Sequence, residues 1–367
     1  LVGSEMCIRD SYMGKGKKSV GLAVRLALAT MVGMSCAGVV AEAPVDLTGT
    51  YDVATLTPLE RPKMFGNKQF LTREEAARIS RDDAALKAAR NNNSDPNRGA
   101  PPAGGDGSSG AAGNVGGYNT FWIDNGNAAF ELDGKFRTSI LTQPENGRRP
   151  ELTAAAKTKF AQSRRSRRGN SGTAWWQDEK GKGAGPYDDM ELRPLAERCI
   201  LGFGPTAGPP IFPTLYNNLK RIIQTKDSIM ILAEMVHDAR IVRLNSAHRP
   251  DHMRTWLGDS VGHWEGDTLV VKTKNFTPRP GLYGADENLQ VTERFRRVDD
   301  ATLSYSFVVD NPTVWSEPWG GEYPWPATTA KVYEYACHEG NYALGNIMRG
   351  ARLLEAEALQ ANANTAR

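Results

Sequence analysis

The chain has no run of the roughly 20 apolar residues that a membrane-spanning helix needs. Its best stretch, VGLAVRLALATMVGM, is interrupted by Arg25. It also lacks an excess of either charge. Forty-five basic against 42 acidic residues leave a formal +3, which argues against a nucleic-acid binder and against an acidic-tail protein. Histidine is scarce: there are five, all at or after His237, and the chain holds no H-E-x-x-H and no paired C-x-x-C. Glycine (37) and proline (21) are plentiful instead, favouring loops and turns over long helices. A length of 367 residues suits one large or two ordinary domains and is ample for a core.

The N-terminal region is expected to be processed. Residues 1–12, LVGSEMCIRDSY, have no periodicity, resemble translated adapter read-through, and read as a non-native preface. From Met13 a basic MGKGKK, the apolar stretch and the small residues SCAGVVAEA form an export signal over 13–43, with cleavage after Ala37 or Ala43. Acylation at Cys36 is disfavoured, because Gly33 stands where such signals carry Leu. A periplasmic or secreted protein with no transmembrane span in its mature form is expected. Cys7 and Cys36 then fall away, and in an oxidising compartment Cys199 and Cys337 read as one disulfide. A nucleophile built on Cys337-His338 is the weaker reading, since neighbours on a strand point to opposite faces.

Residues 44–117 read as a strand (DLTGTYDVATL), a helix (LTREEAARISRDDAALKAAR) and a Gly-rich flexible stretch, 91–117. The helix opens on a capping box, Thr72 with Glu75 three residues on. A β domain is expected over 118–350 and a tail over 351–367. Strands near YNTFWID and KFRTSILTQ are joined by an Asp133-Gly134 turn, and ELTAAAKTKFAQSRRSRR forms a second helix whose Arg164, Arg165, Arg167 and Arg168 read as a solvated end. Residues 171–218 are irregular, a length that in a folded protein is functional or wraps a core. From 219 the period becomes two: RIIQT, SIMILAEMV, ARIVRLN, VGHW, TLVVKTKNF, ENLQVTERFRRV, TLSYSFVV and AKVYEYAC, joined by tight turns. The expected fold is mainly β, an antiparallel meander forming a barrel or two-sheet sandwich, with two peripheral helices.

HRPDHMRTWLGDSVGHWEGDTLVV (248–271) concentrates chemistry-bearing residues, including a G-x-S-x-G around Ser260. A nucleophile elbow needs a buried strand before the serine and a helix after it, and neither pattern is present. Gly266-Asp267 instead suits a two-residue hairpin turn, which sets Trp264 opposite Leu269, facing the core, and His263 opposite Val270, facing water. His248 and His252, with Asp251 or Asp259, are left as an acid/base or metal-ligating loop. Pro250 denies them a common helix, and no metal is assigned.

Glu293 is the other candidate. Leu289, Val291, Glu293 and Phe295 share one strand face, matched by Leu303, Tyr305, Phe307 and Val309. A buried carboxylate must be paired, hydrogen-bonded or protonated, which is also how a general acid or base acquires a shifted pKa. The alternatives are a catalytic or ligand-anchoring carboxylate, helped by Tyr305, a structural ion pair with an inward arginine such as Arg243 or Arg137, or a register one residue different that turns Glu293 outward. Trp122, Trp175, Trp176, Trp315, Trp319 and Trp325 are expected in or beside loops. There they either enclose an apolar or sugar-like ligand, Trp122, Trp315 and Trp319 above all, or plug the barrel ends.

DLTGTYDVATLTPLERP, TWLGDSVGHWEGDTLVVKTKNF and ERFRRVDDATLSYSF resemble segments of a widespread family of exported bacterial proteins, over most of residues 46–350. The resemblance implies export and no particular activity. TGTYDV is also similar to the start of lipocalin-like (calycin) barrels, with Tyr51 in place of their Trp. The expectation is thus an exported β protein that binds a small apolar or sugar-like ligand and no nucleic acid. The alternatives are an enzyme (lyase, isomerase or hydrolase) working through Glu293 or His248/Asp251/His252, and an envelope interaction protein.

Overall fold

In the computed structural model, residues 45–90, 123–165, 172, 183–206 and 208–365 are described. The proposed export signal, the Gly-rich stretch, Trp122, Trp175, Trp176, and the side chains of Arg164, Arg165, Arg167 and Arg168 lie outside them. Period-two alternation dominates, and the structure follows it. The strands are β1 (Gly49–Asp52), β2 (Phe70–Leu71), β3 (Glu131–Leu132), β4 (Lys135–Arg137), β5 (Leu141–Gln143), β6 (Leu219–Gln224), β7 (Ser228–Ala233), β8 (Ala239–Leu244), β9 (Asp259–Glu265), β10 (Thr268–Lys274), β11 (Gln290–Asp299), β12 (Thr302–Asp310) and β13 (Trp319–Pro326). Ten form one curled sheet, a half-barrel of order β1-β6-β7-β8-β9-β10-β11-β12-β13-β5; β2, β4 and β3 form a small second sheet. Past β13 the chain returns to β1, with a Tyr51–Ala327 bridge and Thr328 N–H donating to the Thr50 carbonyl at 2.9 Å.

The meander is broken once. β8 and β9 run parallel, and parallel neighbours need a crossover rather than a tight turn. The polar stretch 245–258 is that crossover. The hairpin after it has the expected register, Trp264 with Leu269 and His263 with Val270, and Gly266 supplies the positive φ of 61°. His263 points outward to Glu265, while Val270 on the same face is nonetheless covered, at 1% exposure. Ser260 is a strand residue whose hydroxyl meets that of Thr273 at 2.8 Å. The Asp133-Gly134 turn has φ of 51° and 72°, the mark of a type I′ hairpin. It joins β3 to β4, so the first strand of that hairpin is 131–132 and not YNTFWID.

Helix α1 (Arg73–Arg90) opens on the expected box. Thr72 N–H donates to the Glu75 carboxylate at 2.7 Å, and Glu75 N–H to the Thr72 hydroxyl at 3.2 Å. Helix α2 (Ala154–Arg165) is capped by Thr153. A third helix, α3 (Tyr342–Thr365), occupies much of the expected tail.

Two expectations about the last strand are corrected. WGGEYPWP is not loop but β13, with Trp319, Tyr323 and Trp325 turned into the core. AKVYEYAC forms no strand: the backbone N–H groups of Tyr333 and Tyr335 donate to side chains, the Glu234 carboxylate at 3.0 Å and His237 Nε2 at 2.8 Å. The disulfide is present, Cys199–Cys337, with Cα atoms 5.7 Å apart.

The concave side of the sheet is filled. Tyr305, Trp325, Phe295, Phe307 and Trp319 pack there at ring-centroid separations of 4.7 to 6.1 Å. Residues 208–213, GPPIFP, enter it from the irregular region, and Ile211 has no exposure. A backbone inside a core must satisfy its polar groups, and prolines lighten that demand by removing donors. Past its two leading prolines, Ile211 donates its N–H to the Tyr305 hydroxyl at 2.8 Å and Phe212 to the Pro205 carbonyl at 3.3 Å.

Candidate functional site

Glu293 sits on the inner face of β11 with no exposure. Its partner is Arg240. Alternation along β8 (ARIVRL) turns Arg240 and Val242 inward, while Arg243 reaches Asp259 and Arg137 pairs with Glu322. The contact is bidentate: Arg240 Nη1 to Glu293 Oε2 at 2.5 Å and Nη2 to Oε1 at 2.9 Å. Tyr305 donates its hydroxyl proton to Oε1 at 2.9 Å, and Tyr323 donates to the Ile211 carbonyl at 2.9 Å. Burial first, then the Glu293 charge, pushes the Tyr305 hydroxyl well above the usual phenol range, so it stays a donor. This arrangement ties β8, β11, β12 and β13 to the inserted segment, and its groups are engaged with one another.

The crossover loop organises around Asp259 instead. Its carboxylate accepts from Arg243 Nη2 at 2.9 and 3.0 Å, pairs with His248 Nδ1 at 2.9 Å and accepts from the Arg249 N–H at 2.9 Å. Burial works to raise its pKa, but the Arg249 N–H, His248 and Arg243 outweigh it and the net shift is downward. Asp251 is turned to solvent and paired with Lys274 at 2.9 Å, and His252 is exposed. His248 and Asp251 therefore have different partners. Among the described residues no three His, Cys, Asp or Glu are placed to hold a metal ion. Trp315 and Trp319 are core residues, at 4% and 0% exposure, stacked edge-on at 5.3 Å.

The open space lies elsewhere. A cavity of about 290 Å³ opens where the chain after β1 meets residues 203–214. Pro58, Phe203, Pro205 and Phe212 give it apolar walls, and Thr55, Thr57 and Thr214 contribute the polar part. Those hydroxyls are already committed: Thr55 to the Ala128 carbonyl, Thr214 to the Tyr216 carbonyl, and Thr57 as acceptor of the Phe130 N–H. Glu293 lines neither this cavity nor a second, of about 20 Å³, bounded by Arg61, Arg137 and Glu145.

Beside the larger cavity is a set of ionisable residues that sequence reasoning missed. Lys220, on the inner face of β6, is 1% exposed, and its ammonium donates one long hydrogen bond, 3.4 Å to the Asn218 carbonyl. Burial pulls its pKa down to about 8, against the opposing fields of Glu234, Asp52, Asp124 and Asp238. Asp238 is pushed up to about 6, by burial above all, despite the Gly202 N–H, His237 and Lys220. Asp124 is raised by burial and by Asp52. The chain between Glu234 and Asp238 turns through Val236 (φ 60°) and His237 (φ 53°), a left-handed conformation unfavourable for a β-branched residue. The available signal was parity: in LKRIIQ, Lys220 falls in phase with the inward Ile222.

No protein-family model and no curated protein matches the chain.

Proposed function

We propose that the protein is exported and binds a small, mainly apolar molecule in the groove between the chain after β1 and residues 203–214. The observation that carries this is the groove itself: about 290 Å³ walled by two phenylalanines and several prolines. Its volume is at the lower end for ligand pockets and suits a molecule of about one ring. Because Thr55 and Thr214 donate their hydroxyl protons within the protein and Thr57 is buried, the lining favours apolar contact over the hydrogen bonds a sugar would need. Export is supported by the Cys199–Cys337 disulfide, a bond typical of oxidising compartments. The packed concave side argues for this entrance rather than the barrel interior as the place of binding.

Phe203 is half exposed, at 52%, so its truncation should leave the fold intact. Saturation-transfer NMR with phenol and indole as probes tests the reading. Both should bind with dissociation constants in the high micromolar to millimolar range expected of fragments, and Phe203→Ala should weaken binding about tenfold. Equal binding by wild type and variant, or none by either, overturns it.

A further inference from the structure

Lys220 is the least economical residue in the core. A buried ion pair replaced by well-packed apolar groups commonly leaves stability unchanged or improved, and Lys220 lacks even the ion pair: among the described residues its one hydrogen bond is the long contact to Asn218. Around it are four carboxylates and a strained turn. Holding Val236 and His237 at positive φ costs on the order of 1–3 kcal/mol for each residue, and such strain gathers at functional sites.

The position of this cluster is equally specific, because it shares two walls with the groove. On one side, Phe203 lines the groove; its N–H contacts the Met235 sulfur at 3.4 Å, and the N–H of the preceding Gly202 bonds to Asp238. On the other, Thr214 lines the groove and donates its N–H to Asn218 Oδ1 at 2.8 Å, while the carbonyl of Asn218 is the acceptor for Lys220. The first wall, GFGPT (202–206), has no regular secondary structure and holds two glycines, with Gly204 at φ 73°. That short loop stands between the groove, which its Phe203 lines, and Met235 and Asp238 of the cluster.

We propose that Lys220 is a reactive amine that forms a Schiff base with a small aldehyde or ketone entering through the groove, Asp238 serving as the acid that releases water. The entry route rests on the groove reading above; the chemistry of the amine does not. The neutral ε-nitrogen adds its electron pair to the carbonyl carbon, and its proton passes to the carbonyl oxygen, giving a carbinolamine. Asp238 in its acid form protonates that hydroxyl, the C–O bond breaks and water leaves. The Asp238 carboxylate then takes the remaining N–H proton from the iminium. Amine and carbonyl have become imine and water, and Asp238 has its proton back.

Both groups suit their parts near neutrality. At pH 8 about half of Lys220 is neutral, against about 0.4% of an ordinary lysine, roughly a hundredfold advantage in free amine. Burial slows entry and takes back part of it.

The test uses the full chain, propionaldehyde as probe and a borohydride pulse to reduce any imine, followed by peptide mapping. At pH 7 Lys220 should carry at least tenfold more propyl adduct than the exposed Lys272, with a labelling rate that peaks near pH 7, between the values of about 6 for Asp238 and about 8 for Lys220, and falls above pH 8. Asp238→Asn should slow labelling of Lys220 about tenfold and leave Lys272 unchanged. Labelling of Lys220 no faster than that of Lys272 overturns the proposal, and so does a rate that climbs only above pH 10. Since the wild-type map decides, a Lys220→Met variant that fails to fold changes nothing. Adduct on Lys220 without fragment binding would defeat the groove reading alone; fragment binding without adduct would defeat this inference alone.

Discussion

Arg240 and Glu293 meet across the concave side of the sheet as a two-point ion pair, with side-chain exposures of 2% and 0%. Each charge is tolerable there only because the other is present, and Tyr305 supplies the remaining donor. Removing one partner strands the other. Glu293→Leu and Arg240→Met are each expected to cost about 3–5 kcal/mol, whereas the double variant should cost far less than the sum. Urea denaturation of the three variants measures this. Additive losses would mean that the pair is not the unit holding β8 to β11.

Cys199 and Cys337 close a loop of 138 residues. In the chain-entropy model that constraint is worth about 5 kcal/mol. The bridge also fastens the segment that leads into α3, where Asn341 Nδ2 donates to the Glu197 carbonyl at 2.7 Å. Cys337→Ser should therefore lower the urea midpoint sharply, and reductant should do the same to wild type while leaving the variant unmoved. A midpoint insensitive to both would show that the bridge constrains little.

Legibility followed the local physics. Where two strands and a tight turn were enough, parity and turn chemistry gave the β9–β10 register to the residue, and parity alone gave the inward faces of β11 and β12, including Glu293. The identity of its partner depended on which face of β8 turned inward, and that is set by tertiary pairing. β13 was hidden by its prolines. Ala327 N–H donates towards β12, to Ala301, while Thr328 N–H donates to Thr50 of β1. Alternation therefore aims the nitrogens of Pro324 and Pro326 away from β12, beyond the two residues that β5 pairs, so no ladder donor is needed there. The groove and the Lys220 cluster were invisible for another reason: they join residues from 52 to 238 that only the folded chain brings together. His248, Asp251 and His252, adjacent in sequence, found different neighbours.

The Lys220 pKa has a consequence for stability that is opposite in sign to that of a salt-bridged lysine. Its folded value, about 8, lies below its ordinary 10.5, so between those values the unfolded chain binds more proton than the native protein. Stability then rises with pH across that window. From pH 7.5 to 9.5 the gain should be about 2 kcal/mol, read as an increase in the urea midpoint. The window must close below pH 10, because Tyr51, Tyr305 and Tyr323, all raised first by burial, keep their protons in the native state and favour the unfolded chain once its tyrosines ionise. Asp238 acts lower down: its value of about 6 against 3.8 makes its contribution fall as pH rises through that interval, so it leaves the alkaline window untouched. Lys220→Met should abolish the alkaline rise. A wild-type midpoint that is flat or falling between pH 7.5 and 9.5 would mean that the amine is charged and paired in the native protein, removing the basis for its reactivity as well.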